Sequence, residues 1–296
     1  MKRFPHTFFL LSGILVFCLT GLTAQNEILK NEAVFGEFME RPSNEYRTAS
    51  GKPGPKYWQN EADYHIEVQL DTASHTFSGS VTINYMNNSP ESLEFVWLHL
   101  EQNRFTPDSR GTLTTPVRGN RYSGNVDGGF KIRNVSAKSG RNNASHEYIV
   151  DDTRMQVFFD QPISAFGGSA TISMDFSFKV PESGMDRMGR LKTEDGTIYA
   201  IAQWYPKVAV FDDIEGWNVR PYLGAGEFYL EYGDFDYKIT VPYDHIVVAS
   251  GELLNRKEVL SKTVLDRWDE AQKSDQTVFL IGENEIKNYT LTRPKT

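Results

Sequence analysis

From Tyr64 the chain alternates between apolar and polar residues. Tyr64, Ile66, Val68 and Leu70 are apolar, with His65, Glu67 and Gln69 between them. A period of two places such apolar side chains on one face of a β-strand. The pattern recurs at Phe77, Val81, Ile83 and Tyr85 after a turn predicted at 71–74, and a third run starts at Leu93, Phe95 and Trp97. It returns at Ile172, Met174, Phe176, Phe178 and Val180, and again at Phe235, Tyr237, Ile239 and Val241. Shorter β-rich runs lie at 155–159, 246–249 and 277–281. The segment "GGFKIRNVSAKSGRNNASHEYIVDD" reads as a strand, a polar loop tip and a returning strand. "NNSP", "FGGS", "EDGT" and "ASGE" supply turns, and "GAGEFY" a bend before a strand at Phe228. Only 262–273, with Val264, Leu265, Trp268 and Ala271, has the spacing of a short helix. No internal repeat is visible. Many short alternating strands with little helix predict an all-β fold, a sandwich or saddle-like arrangement of mostly antiparallel strands.

The two ends of the pattern are different. Lys2 and Arg3 precede an apolar run from Phe8 to Phe17 that closes in Leu22-Thr23-Ala24. A positive start, a short apolar stretch and a small final residue predict a signal peptide over 1–24, cleaved after Ala24. The apolar part is shorter than the ~20 residues that span a bilayer. Val16 and Phe17 before Cys18 are not the small residues a lipoprotein site needs. A polar leader rich in Asn, Glu, Gly and Pro follows over 25–56. A secreted or periplasmic location is therefore expected, with no integral membrane segment after cleavage.

Composition narrows the chemistry. Cys18 is the one cysteine, so the mature chain has neither a disulfide framework nor a thiolate metal site. A net charge of −8 argues against nucleic acid as a partner. His146 and Glu147 form a His-Glu pair, but a helical zinc site needs a second histidine four residues on, and that position is Val150. No G-x-S-x-G elbow is present. Asp212, Asp213 and Glu215 read as turn residues completed by Gly216. The dense stretch "AQWYPKVAVFDDIEGWN" remains. Its Trp204, Tyr205 and Trp217 form either a sugar-stacking platform or a hydrophobic cluster that pins a long loop, and area burial favours the cluster.

Two segments carry a family resemblance: "SGSVTINYMNNSPESLEFVWLHLEQN" and "AQWYPKVAVFDDIEGWNVRPYLGAGEFYLEYGDFDYKITVPYDHIVVASGEL". Together they resemble the N-terminal β domain of the aminopeptidase N family of zinc metallopeptidases, over 57–296. The resemblance implies a saddle of strands followed, in the whole enzyme, by a thermolysin-like catalytic domain with H-E-x-x-H and zinc. That motif is absent here, so a chain truncated before its catalytic domain, inactive alone and holding no cofactor, is expected. Family loops present Gln-x-Glu or Gln-x-Gln to the substrate's free amine. Gln203 fills the first position and Tyr205 the second, which makes both candidate substrate-binding residues. A phenol at the second position brings hydrogen bonding without charge. The resemblance also implies that Gln203 and Tyr205 face outward at the domain edge, while Trp204 and Trp217 pack inward. The peptide substrate and the missing catalytic domain are then the partners. Two alternatives stay open: a stand-alone secreted binding module for sugar or peptide, and a purely structural piece of an envelope protein.

Overall fold

Half-apolar strands need partners for their backbone groups and a second layer for their apolar faces. A computed structural model of the chain describes residues 42–114, 128–141, 143–182, 187–224 and 226–286. The expected signal peptide and the first part of the leader lie outside these residues. By compactness the chain divides into Met1–Tyr57 and Trp58–Thr296. In the first unit, a bridge joins Arg47 to Pro53, and Asn44 Oδ1 accepts from the backbone N–H groups of Tyr46 and Arg47.

The second unit opens with β1 (Glu61–Asp71), β2 (Thr76–Asn87) and β3 (Leu93–His99), followed by a 3-10 helix at Glu101–Phe105 and a short helix α1 (Arg110–Thr114). Next come β4 (Lys131–Ser139), β5 (Tyr148–Asp151), β6 (Arg154–Ile163), β7 (Gly168–Lys179), β8 (Gly189–Thr193) and β9 (Gly196–Ala200). The short strands β10 (Lys207–Val208), β11 (Phe211–Asp212) and β12 (Gly216–Trp217) precede β13 (Phe235–Thr240). Helices α2 (Arg256–Val259), α3 (Lys262–Ala271) and α4 (Glu283–Ile286) follow. A five-stranded sheet runs β13-β1-β2-β7-β4, and a four-stranded sheet runs β10-β3-β6-β5. Pairing is antiparallel except between β13 and β1. The fold is all-β and sandwich-like.

The alternation read from the sequence is the alternation of burial. In β1 every second residue, Ala62 through Leu70, is buried. These side chains join Phe77, Val81 and Ile83 of β2, Ile172 to Phe178 of β7, and Val96, Leu98, Met155 and Val157 of the second sheet in one core. The β1–β2 turn forms where Asp71 accepts from the Ala73 N–H at 2.9 Å and the Ser74 hydroxyl at 2.6 Å. Ser261 caps α3 by accepting from the Val264 N–H, the expected helix start.

Three expectations change. The runs at 246–249 and 277–281 are not strands, because no neighbouring strand supplies them with a ladder. Phe228 also lies outside any strand, and between it and β13 the described residues make only isolated bridges, Leu230 with Ala209 and Tyr232 with Glu61. The strand and returning strand of 128–152 do exist, but β4 belongs to the five-stranded sheet and β5 to the other. Periodicity shows that a strand exists without showing which strand it pairs with.

Asn87 holds the far end of the sandwich together. Its buried amide donates to the carbonyls of Glu91 at 2.7 Å and Ser164 at 3.0 Å, and its oxygen accepts from the Ser89 hydroxyl at 2.6 Å. Asn87→Ala would strand these groups, so we expect a loss of about 2–4 kcal/mol in urea unfolding, several bonds each being worth ~1 kcal/mol.

Candidate functional site

The loop 201–206 reaches the core through a polar turn that carries no periodic signal. Glu101, Gln102, Asn103 and Arg104 are all buried in the 3-10 helix that follows β3. Buried polar groups must find partners, and the partners of these residues lie far along the chain. Lys207 Nζ lies 2.9 Å from Glu101 Oε1, with side-chain exposures of 7% and 1%. Gln102 Nε2 donates to the carbonyls of Ala202 at 2.9 Å and Gln203 at 3.0 Å. Asn103 donates to the Asp152 carbonyl and accepts from the Phe130 N–H, each at 2.8 Å. Arg104 Nε donates to the Leu223 carbonyl and its Nη1 to the Thr112 hydroxyl, each at 2.9 Å. Gly111 lies against that guanidinium, where a Cβ would collide with it.

The clamp from Gln102 falls on an unusual residue. Gln203 has φ +46, a left-handed conformation that costs a non-glycine residue energy unless its surroundings hold it there. Its side chain is half-buried and has no hydrogen-bond partner among the described residues. Tyr205 departs from its expected outward orientation. Its ring packs 5.4 Å from Tyr64, 5.0 Å from Trp204 and 5.8 Å from Phe235, because an aromatic ring beside an apolar face gains more from contact than from water. Burial, aided by the Glu101 charge, pushes the Tyr205 phenol up to about 12, so it stays protonated at neutral pH. Lys207 Nζ sits 4.5 Å from the Phe228 ring centroid and 5.5 Å from that of Tyr205.

Trp204 and Trp217 both pack against the one core, through separate groups of rings. Trp204 meets Phe77 and Tyr237, whereas Trp217 meets Tyr85, Phe95 and Phe211. They do not form a shared flat platform. The acidic stretch between them is a turn, as expected: Asp212 Oδ1 accepts from the backbone N–H groups of Ile214 and Glu215, and Gly216 has φ +69. His146 is exposed and lies just before β5, with Nδ1 2.6 Å from the Val135 carbonyl oxygen. Among the described residues, no group of three or more His, Cys, Asp or Glu side chains could hold a metal ion. None of those residues forms a helix long and apolar enough to cross a membrane.

The site's electrostatics follow from burial. Glu101 Oε2 and Gln102 Oε1 are buried acceptors without a donor among the described residues. Desolvation pushes the His99 imidazole down, with the Glu101 charge opposing. Burial pushes the Glu231 carboxyl up to about 7, against the Phe211 N–H and with help from Asp212. The arrangement supplies hydrogen-bond acceptors and a rigidly held loop. Sequence reading singled out Gln203 and Tyr205 but not Glu101, Gln102 and Arg104, because a run of polar residues after a strand looks like a surface loop.

The fold and this loop define an all-β domain with a clamped polar edge. Solved structures similar to it include the M1 zinc metallopeptidase from Deinococcus radiodurans, 14% identical, covering 65% of this chain and 34% of that one, with a TM-score of 0.32. A glutamate-to-alanine mutant of the M1 zinc metallopeptidase from the same organism, bound to a Tyr-Ser-Ala substrate, is 12% identical. It covers 69% of this chain and 39% of that one, with a TM-score of 0.30. The aligned region thus spans little more than a third of those proteins. No family model and no curated protein matches the chain.

Two outcomes test the site's energetics. Lys207→Met leaves Glu101 buried without its cation and should cost about 3–5 kcal/mol, while the Glu101→Leu/Lys207→Met double variant should recover much of that loss in urea unfolding. For Glu231, the folded pKa of about 7 lies above the ordinary 4.5, so the native state binds the proton more tightly. Its contribution to stability is full below 4.5 and is lost as pH rises toward 7. Glu231→Gln should flatten that slope in unfolding curves taken between those pH values.

Proposed function

We propose that this chain is the N-terminal, non-catalytic β domain of a secreted zinc metallo-aminopeptidase, an enzyme that removes N-terminal residues from peptides. The observation that carries the reading is the way Gln203 is held. It occupies a strained conformation under a buried amide, with its own amide group unpartnered among the described residues. Strain of this kind concentrates at ligand sites. Gln203 is also the residue that the family resemblance assigns to the substrate's free amine.

In this reading Gln203 contacts the substrate, and Tyr205 braces the loop while its neutral hydroxyl offers a hydrogen bond. Zinc and the attacking water belong to the catalytic domain of the full enzyme, where the metal would lower the pKa of that water and polarise the peptide carbonyl. The consecutive Ile246, Val247 and Val248, the last 91% exposed, fit a surface covered by a neighbouring domain. The sugar-module alternative is less well supported, because Trp204 and Trp217 lie in different groups of rings.

Reading the genomic DNA beyond codon 296 tests the proposal. An in-frame H-E-x-x-H is expected, and the full product should hydrolyse aminoacyl-coumarins. In that enzyme Gln203→Ala should raise KM roughly 3- to 10-fold, the worth of one hydrogen bond, with an unchanged melting temperature. A stop codon directly after Thr296, with the chain secreted at this length, would favour the binding module instead.

A further inference from the structure

Among the described residues, the outer edge of the four-stranded sheet is open: β5 ends that sheet and pairs there with β6 alone. The Phe158 N–H donates to the Glu147 carbonyl at 3.0 Å, and bonded pairs alternate along an antiparallel ladder. Ile149 and Asp151 therefore bond to β6, while Tyr148 and Val150 aim their N–H and C=O groups outward. The strand is also apolar and exposed: Tyr148 by 38%, Ile149 by 54% and Val150 by 43%.

The other sheet treats its β4 edge differently. β4 has its register broken between Arg133 and Ser136, with Asn134 at φ +52, and it carries Lys131, Arg133 and Lys138. Breaks and charges of this kind block further strand addition. β10, at the opposite side of the four-stranded sheet, is two residues long and buried. β5 is short, but it has no register break, and its one charge, Asp151, is already paired.

We infer that β5 pairs antiparallel with the β5 of a second copy of this chain, forming a two-fold symmetric dimer through a continuous sheet. The outward groups of Tyr148 and Val150 match each other when Ile149 lies on the two-fold axis. Tyr148 of one copy then faces Val150 of the other, and Glu147 faces Asp151. The two facing carboxylates repel, and the arginines already at Asp151 offset that repulsion, which is the complementarity that selects this occupant. Asp151 is already held by Arg110 and Arg154, while the Glu147 carboxylate has no partner among the described residues. Half-exposed Arg110 is then presented to the unpaired Glu147 of the other copy, and symmetry repeats the contact. The contact consists of a few backbone bonds and three apolar side chains per copy. That is less than the ~1,200 Å² of a stable interface, so the dimer is weak and concentration-dependent.

Sedimentation of the chain over a concentration series should show a monomer–dimer equilibrium. Val150→Pro removes only an outward N–H, so it should abolish the dimer and leave the melting temperature unchanged. In a Cys18→Ser background, Ile149→Cys places two thiols across the axis in a non-bonded pair about 4.5 Å apart between Cα atoms, within reach of a disulfide. A disulfide dimer should form under mild oxidation and disappear when Val150→Pro is added. If Val150→Pro lowers the melting temperature, Ile149→Lys replaces it, because it sets like charges on the axis. A monomer at every concentration, a dimer that survives these edge substitutions, or no disulfide at position 149 would each overturn the inference. Binding of an extended peptide by a monomeric chain would assign the edge to a different partner and overturn it as well.

Discussion

Lys207 and Glu101 meet inside the protein, and much else depends on that meeting. Removing two opposite charges from water costs several kcal/mol per ion, which only close contact offsets. The pair joins the turn after β3 to the strand that follows the 201–206 loop, across 106 residues of sequence. Each charge makes the other tolerable, so the loop cannot lift away without exposing an unpaired ion to the core. Tyr64 of β1 reinforces the closure by accepting from the Val208 N–H at 3.0 Å, which ties the first sheet to the same strand.

The clamp spreads outward from there. With the Glu101 turn fixed, the neighbouring Gln102 amide reaches two successive carbonyls of the loop, and Arg104 reaches Leu223 further along. These contacts take the place of a strand ladder. They hold an irregular segment in one shape without a periodic pattern, and so a glutamine can remain in a left-handed conformation. Glycine plays a similar part at 233, where a Cβ would collide with the Ala62 carbonyl as the chain passes β1 on its way to β13. A polar turn, an ion pair and a close backbone approach together place the loop at the edge of the sandwich.

Two outer strands, β4 of the five-stranded sheet and β5 of the four-stranded one, are built in opposite ways: β4 is broken by a register shift and carries cations, and β5 is short and mostly apolar. The chain's net charge of −8 opposes close approach of two copies, but screening over a Debye length of about 8 Å at physiological salt limits that repulsion to near contacts. Local complementarity at β5 can then outweigh the global charge.

Much of the fold was legible in the sequence. Alternation located β1, β2, β3, β7 and β13, because burial on one face imposes a period of two wherever a strand covers a core, and a shorter β-rich run marked β6. The Asp71 turn and the Ser261-capped helix were readable for the same local reason: their hydrogen bonds close within a few residues. Gln203 and Tyr205 could be singled out only as members of a distinctive loop. Tertiary structure alone decided the rest. It sent β4 and β5 to different sheets, left 246–249 without a strand partner, turned Tyr205 inward and buried Glu101, Gln102 and Arg104. Each of those outcomes depends on a partner tens to more than a hundred residues away, and neither periodicity nor composition records which distant group a buried polar side chain will meet.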